Sequence, residues 1–197
     1  MGYTAIFGGT FNPFHMGHYE ILAALEKDSD VEEIFLMPDK IPPHKSCDFL
    51  ADDNIRIDMC RLASEDFSKA KLCLIEFERE GRSYTFDTIT LLKEKFPEKK
   101  FAFVMGGDML ASFDLWYRYE ELIKMMDFIA FKRVDTDIEV FKSKAEYLIN
   151  KGMKLKIKDE LITNTASSII RKDFSSAKKY IPEKIFDFLK ERGIYSE

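Results

Sequence analysis

Phe7-Gly8-Gly9-Thr10-Phe11-Asn12-Pro13-Phe14-His15-Met16-Gly17-His18 joins two stretches of different period. Before it, residues 3–7 form a short apolar run that reads as a strand. After it, residues 19–26 repeat their apolar side chains at helical spacing. A glycine-rich turn therefore leads from a first strand into a first helix. Such a turn lets backbone N–H groups approach a phosphate, and the helix N-terminus adds positive potential. His15 and His18 stand three apart at the helix start and share a face. Gly8-Gly9 alone would read as a tight turn; with Thr10, His15, Gly17 and His18 in register, the stretch reads as a phosphate-handling site. There is no G-x-x-x-x-G-K-[ST], and Gly8, Gly9 and Gly17 do not make G-x-G-x-x-G.

Outward from this turn, strand and helix patterns alternate. Residues 33–38, 72–75, 101–105, 127–131 and 155–157 read as further strands. Helical patterns cover 53–64, with apolar spacing through Ile55, Ile57, Met59 and Leu62, then 85–96, stretches after a tight turn at Gly106-Gly107-Asp108 through 123, and 137–150. Residues 167–192 read as helical around a break at Pro182. Alternation of this kind predicts an α/β fold: a Rossmann-like, doubly wound parallel sheet with helices on both faces and a helical C-terminal tail from about residue 165. No repeat or linker divides residues 1–197, so a single domain is expected. In open sheets of this type, ligands sit outside the carboxyl ends of the strands. The turns at Gly8-Gly9, at 38–45 and at Gly106-Gly107-Asp108 all fall at that edge.

Composition narrows the function classes. The 197 residues are 46% apolar, include 18 Phe and carry a formal net charge of -5. That balance opposes non-specific nucleic-acid binding, which wants a basic surface. No run approaches a membrane span, and residues 1–4 enter the first strand without a leader pattern, so a cytoplasmic protein is expected. Cys47, Cys60 and Cys73 lack C-x-x-C spacing and read as reduced thiols, Cys60 and Cys73 in core contexts and Cys47 in a polar loop.

Four further stretches carry chemistry. Pro42 and Pro43 stiffen a loop presenting His44 and Lys45, an imidazole and an ammonium suited to a polyphosphate. Ser83-Tyr84-Thr85 opens a helix that Ser83 or Thr85 can cap, and the helix N–H groups there suit a carboxylate. Trp116, beside Tyr117, is the single indole of the chain and a candidate to stack on a ring. In Thr165-Ala166-Ser167-Ser168-Ile169-Ile170-Arg171, Ser167 or Ser168 can cap the following helix, and Arg171 returns to the same face as an anion ligand.

The first motif resembles the nucleotidylyltransferase signature, GT(F)-(D/N)-P-x-H-x-G-H after the first strand. Pro42-Pro43-His44-Lys45 resembles the branch that adenylylates nicotinate or nicotinamide mononucleotide. Ser83-Tyr84-Thr85-Phe86-Asp87-Thr88 resembles the S-Y-T-x-x-T segment of the nicotinate branch, which lies beside the pyridine ring and its carboxylate. The run from Gly107-Asp108 through Trp116-Tyr117 to Glu121-Leu122 looks like the same branch's substrate wall. The late motif is I-S-S-T-x-I-R in the family; here Ala166 replaces the first Ser and Ser168 the Thr. Asn12 stands where many members have Asp. Five motifs in order, from Gly8 to Arg171, carry the resemblance.

The resemblance implies adenylyl transfer from ATP to nicotinate mononucleotide, with pyrophosphate released, as a step of NAD biosynthesis. It places His18 on the α-phosphate in the transition state, His15 on the ATP phosphates, and Thr10 on the attacking or α-phosphate. Lys45 and Arg171 take the pyrophosphate, and Gly8, Gly9, Gly106, Asp108, Ser167 and Ser168 complete the ATP side. Asn12, His44, Lys45, Ser83, Tyr84, Thr85, Trp116 and Tyr117 take the mononucleotide. Mg²⁺ is expected to ride on ATP, since no carboxylate cluster offers a dedicated metal cage. Expected partners are these small molecules, with no nucleic acid and no membrane; a homo-oligomer stays open. The rivals are a nicotinamide mononucleotide adenylyltransferase, another small-molecule nucleotidylyltransferase such as one acting on phosphopantetheine, and a non-catalytic nucleotide sensor.

Overall fold

In chain order the strands are β1 (Tyr3–Gly9), β2 (Val31–Pro38), β3 (Ala70–Leu72), β4 (Phe101–Gly106), β5 (Asp127–Arg133) and β6 (Leu155–Ile162). All pair in parallel, in the order β3-β2-β1-β4-β5-β6. These elements come from a computed structural model that describes residues 2–40, 50–78, 81 and 83–195. Between the strands run α1 (Met16–Lys27), α2 (Asp53–Ser64), α3 (Thr85–Lys95), α4 (Gly107–Ala111), α5 (Tyr119–Met125) and α6 (Ile138–Asn150). The tail holds α7 (Ser167–Lys172), a 3-10 turn at Ser175–Tyr180 and α8 (Glu183–Glu191).

Side chains of a buried strand alternate between faces, and each face here has its own core. Ala5 and Phe7 pack with α1, α2 and α8 through Leu22, Leu25, Met59, Ile185 and Leu189. Ile6, between them, packs with α3 to α6 through Ile89, Leu92, Leu110, Leu122 and Leu148. The sheet is therefore doubly wound. β1 pairs with both β2 and β4, and the strand order reverses there. Loops leaving the carboxyl ends of β1 and β4 part in opposite directions and open a crevice.

Three expectations need correction. The third strand is not 72–75: β3 ends at Leu72, and Ile75–Glu78 is a 3-10 turn closed by the Phe77 N–H on the Leu74 carbonyl at 2.9 Å. Ile75 is buried in the second core, so the chain turns beneath the sheet instead of continuing along its edge. β6 runs on past 157 to Ile162. Its charged residues at 158–160 masked the strand pattern, but they suit an edge strand, which presents one unpaired side to water. Helix α2 forms where expected but on another phase: its buried stripe is Arg56, Met59, Cys60 and Ala63, not Ile55, Ile57 and Leu62. Cys60 is fully buried and its thiol is pushed well up by that burial; Cys73 is half-buried, and Cys47 lies outside the described residues.

The amino edge of the sheet, opposite the crevice, is closed by charge. Asp28 follows α1, and its carboxylate accepts from the Asp30 N–H at 3.0 Å and from the Lys156 and Lys158 ammonium groups, each at 3.0 Å. Burial alone would raise its pKa, but these donors more than reverse that and hold it at about 2. A depressed carboxylate contributes stability that is complete above its unfolded pKa, near 3.8, and lost as pH falls through about 2. Asp28→Asn is expected to cost about 2 kcal/mol at neutral pH. It should also flatten the acid limb of stability between about pH 4 and pH 2, as read by urea titrations at a series of pH values.

Candidate active site

The crevice has a volume of about 1140 Å³. Ligand pockets for drug-sized molecules run to roughly 1,000 Å³, so this one has room for a dinucleotide. Its first wall is the loop after β1. Gly9 has no Cβ, and one placed there would lie 3.1 Å from the Phe11 ring, which folds back over the turn. Phe11 itself takes a left-handed φ of 48°. Phe7, Phe11 and Phe14 surround the His18 imidazole, with centroids at 6.1, 4.9 and 5.2 Å.

His15 is the N-cap of α1 and His18 its third residue. At that position a capping box normally places Glu or Gln. Here His18 Nδ1 accepts the His15 N–H at 3.2 Å. A nitrogen that accepts carries no proton, so the neutral ring keeps its proton on Nε2 as a donor. The buried His15 ring stacks on His18, centroids 3.6 Å apart and 17° from parallel. Gly17 makes room for this pair. A Cβ there would sit 3.2 Å from His15 Cε1 and 3.3 Å from the Thr163 carbonyl.

The loop is fastened from several sides. Arg56 Nη1 donates to the carbonyls of Thr10 at 3.1 Å and Asp39 at 2.6 Å. Its Nη2 pairs with Asp53, and Arg56 is 0% exposed. Asn12 accepts the Ala51 N–H at 3.1 Å and the Tyr195 hydroxyl on its side-chain oxygen. Arg171 Nη1 donates to the Asn12 carbonyl at 2.6 Å, and the Ser167 hydroxyl to the Pro13 carbonyl at 2.9 Å. Ser167 and Ser168 do not cap α7, whose N-cap is Ala166; Ser167 is directed to the first loop instead.

On the second wall, α3 starts after Tyr84, its N-cap, so neither Ser83 nor Thr85 is the capping residue. Thr88 Oγ1 bridges the buried Glu76 carboxylate and the Tyr84 carbonyl, fixing the helix entry. The Tyr84 and Tyr117 rings stand 5.0 Å apart. Trp116 is half-buried, edge-on to Phe103 at 5.6 Å. Asp108, with its side chain 82% exposed, reaches Arg133 at 3.3 Å.

Gly8, Gly9, Thr10, Asn12, His15, His18, Ser83, Tyr84, Thr85, Gly106, Asp108, Trp116, Tyr117, Ser167, Ser168 and Arg171 all line this one crevice. His44 and Lys45 lie outside the described residues. The wall also includes Asp39, Glu76, Arg133 and Lys172, which the motifs did not single out, and Thr165, which opens the late motif with no role assigned to it. Asp39 carries a visible signal, following β2 directly; Glu76, Arg133 and Lys172 do not. Among the described residues, no group of three or more His, Cys, Asp or Glu side chains is placed to hold a metal ion, and no helix is long and apolar enough to cross a membrane.

Comparison with known proteins matches residues 6–176 to the cytidylyltransferase-like family. The chain is 36% identical to a nicotinate-nucleotide adenylyltransferase of Bacillus subtilis over 96% of each chain. It is 32% identical to a probable nicotinate-nucleotide adenylyltransferase of Listeria welshimeri, covering 98% of this chain and 96% of the relative. Among solved structures it resembles the Plasmodium falciparum nicotinic acid mononucleotide adenylyltransferase complexed with NaAD, with a TM-score of 0.81 at 23% identity. That match covers 99% of this chain and 98% of the other, and it shows a shared fold.

Removing the buried guanidinium takes a donor from each of the two loop carbonyls. Arg56→Met, of similar length and apolar, is expected to destabilise by about 3–5 kcal/mol, the cost of breaking one side of a buried polar cluster. Chemical denaturation of the variant against wild type measures it; a loss under about 1 kcal/mol contradicts the role given to Arg56.

Proposed function

Because the chain belongs to the cytidylyltransferase-like family, we propose that its crevice joins ATP to nicotinate mononucleotide, giving nicotinate adenine dinucleotide and pyrophosphate in NAD biosynthesis. The observation that carries this reading is the stacked His15–His18 pair at the N-terminus of α1, set on the crevice where the strand order reverses. Relatives of nearly full length bear the corresponding activity in their names.

A 5′-phosphate oxygen of the mononucleotide attacks the α-phosphorus of ATP in line. The new P–O bond forms as the bond from the α-phosphorus to the bridging oxygen breaks, and the electron pair leaves with pyrophosphate. No covalent enzyme intermediate is needed, because this chemistry is served by positioning and by charge stabilisation. His18 donates its Nε2 proton in a hydrogen bond to a non-bridging α-phosphate oxygen, where charge builds in the transition state. His15 and the first N–H groups of α1 face the ATP phosphates. The Thr10 carbonyl is held by Arg56. Across a trans peptide the next N–H points the opposite way, so Phe11 offers its N–H away from Arg56. Arg171 and Lys45 take the pyrophosphate. The divalent ion arrives with ATP as part of the substrate, and Mg²⁺ suits this because it binds through phosphates and keeps its waters.

Selection of the mononucleotide falls to the second wall. The N–H groups opening α3 at Thr85 donate to the nicotinate carboxylate. The nicotinamide carboxamide keeps one accepting oxygen, but its NH₂ sets a donor against a donor and leaves that N–H unpaired, a mismatch that can reach roughly 10⁴-fold. Trp116 stacks on either pyridine ring and adds affinity without discrimination. Steady-state pyrophosphate release with ATP and each mononucleotide is expected to favour the nicotinate form in kcat/KM by well over about tenfold. Trp116→Ala should weaken both mononucleotides alike and leave the preference in place. Equal use of the two substrates by wild type moves the protein to the nicotinamide reading, and no release with either removes the enzyme reading.

A further inference from the structure

One buried polar group on the crevice wall has no task in this scheme. Thr165 is 4% exposed, and its Oγ1 has no hydrogen-bond partner among the described residues. A buried hydroxyl without a partner is a cost to the folded chain, so its presence asks for a reason. Its backbone is held firmly in place. The Thr165 N–H donates to the Thr163 carbonyl at 2.9 Å. The Thr163 N–H donates in turn to the Glu20 carboxylate of α1 at 2.7 Å. That same Thr163 carbonyl lies against Gly17, between the two histidines. Thr165 thus sits beside the first turn of α1.

The hydroxyls around it are otherwise engaged or missing. Ala166 has none, Ser167 gives its proton to the Pro13 carbonyl, and Ser168 is exposed at the rim. We propose that Thr165 is a nucleotide-binding residue whose hydroxyl donates to an oxygen of the ATP triphosphate. Thr165 lines the crevice, and turning about Cα–Cβ to another staggered well re-aims its hydroxyl. The unpaired group of the free protein becomes a paired one in the complex. This assignment rests on the crevice being the ATP site.

The decisive variant is Thr165→Val, which keeps shape and removes the hydroxyl. Its thermal midpoint should equal or exceed that of wild type, since an unpaired buried hydroxyl has gone. ATP affinity, measured by calorimetry with Mg²⁺ and no mononucleotide, should fall about tenfold, the scale of a hydrogen bond to a charged acceptor. Nicotinate mononucleotide affinity should stay unchanged, and Thr165→Ser should retain ATP binding. Unchanged ATP affinity in Thr165→Val overturns the assignment. A lowered midpoint with equal losses for both ligands also overturns it, in favour of a packing role. If wild type binds no ATP, the reading of the crevice itself falls and this assignment falls with it.

Discussion

Arg56 holds two crevice loops by their carbonyls from a position with no access to water. A charge in that setting is costly unless it is paired and its donors are used. Asp53 supplies the pair, and the carbonyls of Thr10 and Asp39 take Nη1. Lysine cannot substitute, because one ammonium lacks the planar fork that addresses several acceptors at once. The loop after β1 and the end of β2 are thereby fixed to α2 and to each other. A further backbone bond, from the Asp39 N–H to the Gly9 carbonyl at 2.9 Å, closes the same junction.

With the loop held from beneath, its aromatic residues set the orientation of the histidines. Phe7, Phe11 and Phe14 pack around His18, and His15 stacks on it. Holding an imidazole in place before substrate arrives avoids reorganisation in the transition state, which is where preorganised donors gain their effect. The late segment closes the same loop from the far side, through Ser167, Arg171 and Tyr195. Thus the N- and C-terminal parts of the chain meet at the site. The structural charge cluster at Asp28 lies at the opposite edge of the sheet, so acid stability and phosphate chemistry are served by separate groups.

Much of this was legible in the residues. The parallel sheet followed from alternating periods, and the crevice from the glycine turns at strand ends. The motif residues within the described chain converge on that crevice. Arg56 was hidden because helical spacing was read from isoleucines. The stripe Arg56, Met59, Cys60 and Ala63 has the i, i+3, i+4, i+7 spacing of a helix face, with a cation where an apolar residue is expected. An arginine on such a stripe is the signal that would have revealed it. The capping roles of Ser167 and Ser168 failed for another reason: the local preference of serine for an N-cap yields to a distant carbonyl, at Pro13. β3 ended early because the burial of Ile75 outweighed continued pairing at an edge. Thr165 opens the late motif, but nothing local tells a satisfied threonine from an unsatisfied one.

The proposed chemistry depends on a backbone N–H that fixes which nitrogen of His18 bears the proton. Nitrogen-15 NMR of the histidine rings at neutral pH, on the free protein, reads this directly. His18 should show an unprotonated Nδ1 and a protonated Nε2, with the Nδ1 signal coupled to the His15 amide proton. A proton on Nδ1 of the neutral ring would contradict the account, because Nε2 would then have none to donate to the α-phosphate.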